Sequence, residues 1–441
     1  MSEALVASAL AAALLDGPWD AAALTTRATA ALGGRRRAWV AGVVADVLAA
    51  HPRPPLDAPR SFTTELARHP ALARAVHAAE RRGRPLRPAH LEPVPSSMGR
   101  RRWPVPVLDG VADLAALLDL DLAELDWFAD PRGLQRRASG TALHHYTSRW
   151  VAKRGTPRLI EAPKPRLRHL QRIVLHAVLD VVDVHDLAHG FVPGRSAVTG
   201  ARRHTGADVV VRMDLSAFFA SVGAARVYGE FRRLGYPEAV AHLLTGLCTH
   251  RTPLTVLRTL PAGGRAEDRF RLRQWLSAAH LPQGAPTSPA LANLVAGPLD
   301  RRLAGLADSM GLRCTRYADD VTFSGGPQLR SGAGRLVRCV TAIAAEEGFV
   351  VNGDKTRVRG AEQRQVVTGI VVNERTSVPR DEFDRLKALL HNAVRSGPAL
   401  QNRRGHPDFR AHLAGRVSWV EAVSPAKGRR LRATYDRIAW G

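Results

Sequence analysis

The stretch that most restricts the fold is Cys314 to Ser324, CTRYADDVTFS, in which Asp319 and Asp320 stand between two short runs of alternating apolar and polar residues. Such alternation is typical of half-buried strands, and two strands joined by a two-residue turn form a hairpin. A single Asp suits such a turn because it tolerates a positive φ angle. Two adjacent carboxylates that face a third repel one another unless a cation neutralises them. The hairpin alone leaves turn chemistry and a metal site both open.

The elements around the hairpin predict the rest of the fold. ADVVVRMDL at 207–215 is a buried strand that ends in Asp214, and FVVN at 349–352 is a second strand. Helices are expected at 216–234, 237–249, 288–311 and 333–347, the third with Ser288 as N-cap and a kink at Gly297-Pro298. The order strand, helix, strand, strand, helix, strand is the split βαβ pattern of an α+β protein.

This order predicts a site of three carboxylates. The two hairpin strands are expected to neighbour the strand that ends in Asp214, so Asp214, Asp319 and Asp320 would converge. Hard oxygen ligands at this density suit Mg²⁺. Two such ions clamp the attacking and leaving oxygens of phosphoryl transfer, which indicates nucleotidyl transfer.

The charge of the chain indicates a polyanionic partner. Lys+Arg is 64 against Asp+Glu 40, a formal net charge of +24, and most of the basic residues are arginines, which suit bidentate phosphate contacts. A GC-rich genome would explain arginine in place of lysine but not the net charge. Nucleic acid is therefore the expected partner.

The remaining composition bears on location and domains. Cys248, Cys314 and Cys339 are scattered, which indicates a reducing cytoplasm, and no apolar run is long enough to span a membrane. Residues 1–103 are predicted to be a helical N-terminal extension: three short helices to about residue 50, then a basic Pro/Arg-rich linker with one helix at 61–80.

The rest of the chain resembles the reverse transcriptases. Seven motifs occur in the family's order: RLIEAPKPRLRHLQ, AHGFVPGRSAVTGARRHTG, VVVRMDLSAFFASV, LPQGAPTSPALAN, TRYADDVTFSG, GFVVNGDKTRV and VVTGIVVN. The resemblance implies a right hand with fingers and a ferredoxin-like palm at 104–375 and a helical thumb at 376–441.

The resemblance also implies roles for individual residues. Asp214, Asp319 and Asp320 match the metal-binding triad for two Mg²⁺ ions, with the Leu215 carbonyl as a further ligand. Phe219 matches the steric gate that selects deoxynucleotides, whereas Phe218 is interpreted as a core residue. Lys355 matches a proposed general acid for the departing pyrophosphate, and a solvated turn lysine is the alternative.

Further matches concern the incoming dNTP. Gln283-Gly284 resembles the loop that lets backbone approach the nucleotide, although the glycine could simply form a turn. Arg158, Arg166 and Arg168 match finger positions that grip the triphosphate, although any basic loop would show arginine at this density.

Two signatures point to the bacterial retron subgroup. Val367, Thr368 and Gly369 form its VTG motif, and Ala201 and His204 match its N-A-x-x-H pattern, in which the Asn is Gly200 here. The resemblance implies synthesis of single-stranded DNA on a cognate structured noncoding RNA, primed by the 2′-OH of an internal guanosine to give a branched RNA-DNA hybrid (msDNA), and a role in defence against phage. A host RNase H is an expected partner, and the N-terminal extension is interpreted as RNA-binding or docking an effector protein.

Two alternatives remain open. One is a diversity-generating or abortive-infection reverse transcriptase. The other is a non-catalytic RNA-binding module, which the intact carboxylates disfavour.

Overall fold

The N-terminal residues form a helical bundle. The computed structural model of the protein describes residues 3–89, 93–138, 141–152 and 155–440. The bundle helices are α1 (Glu3–Leu15), α2 (Ala21–Ala31), α3 (Ala38–Ala50), α4 (Pro59–Ala67) and α5 (Pro70–Arg81). The three predicted helices are confirmed, but the single helix expected at 61–80 is two, because Pro70 begins a new helix after His69. All five helices contribute to one apolar core, which consists of alanine, valine and leucine side chains together with Phe62 of α4.

The bundle is attached to the palm by polar contacts. Arg232 donates hydrogen bonds to the Asp57 carbonyl (2.7 Å) and carboxylate (3.0 Å). The Glu238 carboxylate accepts from the backbone N–H of Arg60 (2.8 Å), which satisfies a free donor at the start of α4. The segment that follows the bundle is also tied down, since the Gly99 N–H donates to the Gly235 carbonyl.

The fingers combine short helices with a two-stranded sheet. Their elements are α6 (Val111–Leu118), α7 (Leu122–Ala129), β1 (Tyr146–Val151), β2 (Arg158–Pro163) and α8 (Pro165–Val174). β1 and β2 pair antiparallel from Tyr146 opposite Pro163 to Val151 opposite Arg158. Arg158 therefore begins the strand that runs toward the palm.

The palm is a four-stranded antiparallel sheet covered by helices. Its elements are α9 (Ala197–Arg202), β3 (Val209–Asp214), α10 (Ala224–Arg233), α11 (Glu238–Cys248), α12 (Leu254–Arg258), α13 (Ala266–Ser277), α14 (Ser288–Val295), α15 (Gly297–Ser309), β4 (Arg313–Tyr317), β5 (Asp320–Gly325), α16 (Gln328–Glu346) and β6 (Arg357–Gly360). The strand order is β4-β5-β3-β6, which is the ferredoxin-like order and confirms the α+β class. Val211 and Met213 of β3 share one buried apolar cluster with Leu336 and Val340 of α16.

Several sequence predictions for the palm need correction. The fourth strand is 357–360, whereas 349–352 contributes only a single bridge, Leu215 to Val351. Phe349 instead stacks on Phe218 in the core. The first palm helix begins at Ala224, not 216, because the chain turns at Ala217 (φ 45°).

The long helix predicted after the QG loop is interrupted as expected, but its cap is different. α14 ends at Val295 and α15 begins at Gly297. Ser288 is not the N-cap, since Thr287 holds that position and the Ser288 hydroxyl donates to the Pro282 carbonyl (2.7 Å).

The region predicted to be the thumb, 376–441, contains three helices, α17 (Arg380–Ser396), α18 (Phe409–Val423) and α19 (Pro425–Tyr435). The hairpin β7 (Val366–Val367) and β8 (Ile370–Val371) precedes this region and packs on its helices. The core of this region also takes in Val198, Ala201 and Val210, so α9 and β3 join it to the palm. Within the described ranges, the structure has no helix that is long and apolar enough to cross a membrane.

Candidate active site

A cavity of about 470 Å³ lies between the fingers and the carboxyl end of β3. Because β3 and β5 are antiparallel, Asp214 lies directly opposite Asp320, at the start of β5. The Leu215 N–H donates to the Asp319 carbonyl (2.8 Å), which holds the turn against the end of β3. The predicted site residues that line the cavity are Arg158, Asp214, Leu215, Phe219, Gln283, Asp319 and Lys355.

The carboxylates do not all face this cavity. Asp214 and Asp319 line it, but Asp320 is bound by Arg212, whose Nε donates to Oδ1 (2.6 Å) while Nη2 lies 2.6 Å from Oδ2. No group of three or more His, Cys, Asp or Glu side chains within the described ranges is arranged to hold a metal. Asp320 lies next to Asp214 across the strands, but its carboxylate is paired with Arg212, so two of the three carboxylates line the cavity and the metal-binding triad stays a prediction.

The two remaining carboxylates fit a cation. Burial, followed by the neighbouring charge of Asp214, raises the pKa of Asp319. Lys355 Nζ donates to both oxygens of Asp214 (2.6 and 2.7 Å), so a positive charge already compensates this position. Close carboxylates of this kind favour hard divalent cations.

The loop predicted to approach the nucleotide lies tightly against the fingers. Gly284 has φ of +139°, and a Cβ there would lie 2.8 Å from the Glu161 carbonyl oxygen. Both the backbone conformation and the close contact require glycine. The packing against β2 and the positive φ angle explain the glycine, and its role in the approach to a nucleotide stays a prediction.

The three fingers arginines are separated. Arg158 lines the cavity, but Arg166 and Arg168 lie on α8, where they donate to the carbonyls of Asp119 (3.2 Å) and Pro163 (2.9 Å). Arg166 and Arg168 are not among the residues that line the cavity, because Pro165 begins the helix that carries both of them away from β2. Their contact with the triphosphate stays a prediction.

An additional aromatic residue lies beside the predicted sugar gate. Phe191 has a left-handed backbone (φ 59°) and is 53% exposed, and its ring centroid lies 6.5 Å from Phe219 and 6.0 Å from Tyr317. Phe218 is buried against Phe349, as expected of a core residue. The motif GFVPG contained Phe191, but nothing in its spacing indicated this position.

A buried ion pair supports the aspartate turn. Arg316 is fully buried, donates to both carboxylate oxygens of Asp300 (2.6 Å each) and donates to the Ala318 carbonyl (3.0 Å). It also donates to Asn293 Oδ1 (3.0 Å). Sequence reasoning missed this pair, because a charged residue in an alternating strand is ordinarily assigned to the exposed face.

The two retron signatures meet in space. Ala201 and Val367 are buried in the same apolar cluster, and the Thr368 hydroxyl lies 3.4 Å from the Ala197 carbonyl. Thr368 and Gly369 both have positive φ, as a two-residue hairpin turn requires. The fully buried His204 lies 2.7 Å from each of the Ser324 and Thr315 hydroxyls. The buried members, Ala201, His204 and Val367, join α9, the palm sheet and the thumb, and they do not face solvent.

Comparison with known proteins agrees with this geometry. The family described as "Reverse transcriptase (RNA-dependent DNA polymerase)" matches residues 151–371. Retron Mx65 reverse transcriptase of Myxococcus xanthus is 40% identical over 349 residues, covering 77% of this chain and 74% of that protein. Retron Mx162 reverse transcriptase of the same organism is 38% identical, covering 75% and 67% of the two chains. Retron Ec86 reverse transcriptase of Escherichia coli is 31% identical, covering 68% and 82%. The chain therefore belongs to the bacterial retron-type reverse transcriptases and is an RNA-directed DNA polymerase, a nucleotidyltransferase that depends on a divalent metal cation and acts on nucleic acid.

Proposed function

We propose that this enzyme copies its own structured noncoding RNA into single-stranded DNA, beginning at the 2′-OH of an internal guanosine, so that the product is a branched RNA-DNA hybrid. The observation that carries the proposal is 40% identity to a retron reverse transcriptase across 349 residues, 77% of this chain. The meeting of Ala201 with Val367 in one cluster supports it, because the subgroup signatures then form one structural unit.

The proposed chemistry uses the residues of the cavity. Asp214, Asp319 and the Leu215 carbonyl would hold two Mg²⁺ ions, and Asp320 would be a further ligand if it were released from Arg212. Bound there, the ions supply charge for the attacking and leaving oxygens of phosphoryl transfer. Arg158 contacts the triphosphate, Phe219 closes the sugar pocket against a 2′-OH, and Gln283-Gly284 supports the nucleotide.

Lys355 has two successive partners in this proposal. It neutralises Asp214 through a 2.6 Å contact, and it would be free to reach the pyrophosphate if a metal were bound by that carboxylate. Its proton then passes to the leaving group as a general acid.

The priming reaction is tested on DNA that copurifies with the active enzyme. We expect a 2′,5′ debranching enzyme to release the DNA from RNA, whereas ribonuclease leaves a small RNA residue at its end. Asp319→Asn, purified in parallel, should bind the RNA but carry no DNA. DNA with a free or protein-linked 5′ end would refute retron priming and favour a diversity-generating or abortive-infection type of enzyme.

We also propose that the branched product acts in defence against phage, with a host RNase H trimming the copied RNA and an effector protein as partner. The support is the membership in the retron family alone. Phage should form fewer plaques on cells that carry the complete locus than on cells whose enzyme carries Asp319→Asn. Equal plaque counts across a panel of phages would contradict this role.

A further inference from the structure

A buried polar network forms part of the wall of the nucleotide cavity, where Glu161 and His280 contribute to the lining. Glu161, in the middle of β2, has an exposed fraction of 1%. Its Oε2 lies 2.8 Å from His280 Nε2, and its Oε1 accepts a hydrogen bond from the Thr252 hydroxyl (2.6 Å). His280 is equally buried. None of these residues belongs to the nucleotide-contacting set described above.

The network joins three segments that are distant in sequence. His250 and His280 exchange backbone hydrogen bonds in both directions (2.9 and 3.0 Å). The Glu161 N–H donates to the Gln283 carbonyl (2.9 Å), three residues after His280. The fingers strand that begins with Arg158 is therefore fastened directly to the loop that holds Gln283 and Gly284.

The surroundings of Glu161 and His280 shift the pKa of each toward its charged form. Burial acts to raise the pKa of Glu161, but the charge and hydrogen bond of His280 outweigh it and the pKa is lowered. Burial likewise opposes the charge of His280, yet Glu161 raises its pKa. His250 lies 3.7 Å from Glu161, and burial lowers its pKa to about 4, so it is uncharged at neutral pH.

Stability alone is a poor explanation for such a pair. Removing two charges from water costs most of what their attraction returns, and a well-packed apolar pair would be about as stable. An ion pair with a fixed hydrogen-bond geometry does, however, define the position of one segment relative to another. Here the segments so fixed are the two walls of the nucleotide cavity.

We propose that Glu161 and His280 are positioning residues that set the affinity for the incoming dNTP by holding Arg158 and the Gln283-Gly284 loop in register. The inference rests on the proposed nucleotide contacts of Arg158 and Gln283. The side-chain partners of Glu161 are Thr252, His250 and His280, and none of these is one of the three proposed metal-binding carboxylates. We therefore expect the loss of the pair to change the KM for dNTP more than the Kd for the primer–template.

The test is steady-state dNTP incorporation on a defined primer–template by the full chain. Glu161→Gln keeps the size of the side chain and removes its charge, and the KM for dNTP should rise about ten-fold with kcat within about three-fold of wild type. Thr252→Val, which removes one hydrogen bond with little change in shape, should raise KM by about three-fold. The matched control, Thr245→Val, makes the same change in α11, where the hydroxyl donates to the Ala241 carbonyl, and should leave KM near the wild-type value.

Thermal unfolding and the Kd for the primer–template accompany each variant. An unchanged dNTP KM in Glu161→Gln or, should that protein not fold, in Thr252→Val would overturn the positioning role. An equal rise in the Kd for the primer–template would overturn it as well. DNA synthesis by folded Asp319→Asn would instead refute the proposed catalytic site, so the two failures are distinguishable.

Discussion

His204 lies between the hydroxyls of Ser324 and Thr315, at 2.7 Å from each, with no exposed surface. Burial, and secondarily the charge of Arg313, lowers its pKa to about 3. The neutral imidazole can donate to one hydroxyl and accept from the other, so its polar groups are satisfied without charge. At the scale of the residue, this part of the subgroup signature is a structural link and not a contact with RNA.

This environment predicts an acid-sensitive contribution to stability. The folded-state pKa lies below the unfolded value of 6.5, so the contribution is present above pH 6.5 and is lost progressively down to about pH 3. Between pH 7.5 and 5.5 the wild type should lose about 1.3 kcal/mol more free energy of unfolding than His204→Gln. Urea unfolding at the two pH values measures this difference. If the free energy of unfolding changed equally with pH in both proteins, His204 would take up a proton in the folded state as readily as in the unfolded state.

Phe219 carries a second prediction at this scale. Its ring lies between Phe191 and Phe218, which fix it at the edge of the cavity. Replacing Phe219 by Ala should raise the ratio of ribonucleotide to deoxyribonucleotide incorporation by about ten-fold or more, because space for a 2′-OH opens. Single-nucleotide extension measures the ratio. Phe218→Leu is the control. If the ratio changed in Phe218→Leu but not in Phe219→Ala, Phe219 would not be the residue that excludes the 2′-OH.

The hairpin of β4 and β5 is held from behind by the two helices α14 and α15. Arg316 of β4 reaches Asn293 of α14 and Asp300 of α15 while it supports the Ala318 carbonyl in the turn. The position of Asp319 thus depends on an ion pair on the opposite side of the hairpin. At the scale of the element, β4 is held in place by the helices α14 and α15 as well as by its hydrogen bonds to β5.

Breaking this pair should be costly. Asp300→Asn leaves the Arg316 charge buried without a counter-ion, and the free energy of unfolding should fall by about 3–5 kcal/mol. The exposed pair of Arg302 with Glu347 offers a control, since Arg302→Gln should leave stability close to wild type. Urea titrations of both variants measure the contrast. A small effect in Asp300→Asn would show that water reaches Arg316.

Sequence patterns located some elements and not others for physical reasons. Glycine and proline marked the break between α14 and α15, and apolar alternation marked β4 and β5. β6 was missed because its sequence, RVRG, alternates arginine with an exposed valine and has no apolar face. Asp214, Phe219 and Gln283 could be assigned from local motifs. The pairing of Asp320 with Arg212 and of Glu161 with His280 could not, since the partners are 108 and 119 residues apart and meet only in the folded chain.

The whole molecule combines a net charge of +24 with a defined basic face. Arg357 lies opposite Arg212 and Arg359 opposite Val210, so these side chains share the face of the sheet that carries Asp214. Together with Arg364 they line a cavity beside the thumb hairpin. A nucleic acid that reaches Asp214 along this face meets arginines first.

This distribution predicts the salt dependence of binding. Log Kd for a primer–template should rise linearly with log salt, and Arg357→Gln combined with Arg359→Gln should reduce the slope by about two. Arg335→Gln with Arg338→Gln is the matched control, because α16 covers the other face of the sheet and both arginines are exposed. Equal slopes for the two double variants would place the nucleic acid elsewhere.

The attachment of the N-terminal bundle to α10 and α11 has a consequence for the geometry of synthesis. Asp57 with Arg232 and Glu238 with the start of α4 fix the bundle to the same helices that pack under the palm sheet. Anything that the bundle grips stays at a constant distance from the growing DNA end. If the bundle binds the template RNA, as the sequence predicts, the nucleic acid between these two fixed points would have to change in length as copying proceeds. The distance set by the protein would then limit how far the template can be copied.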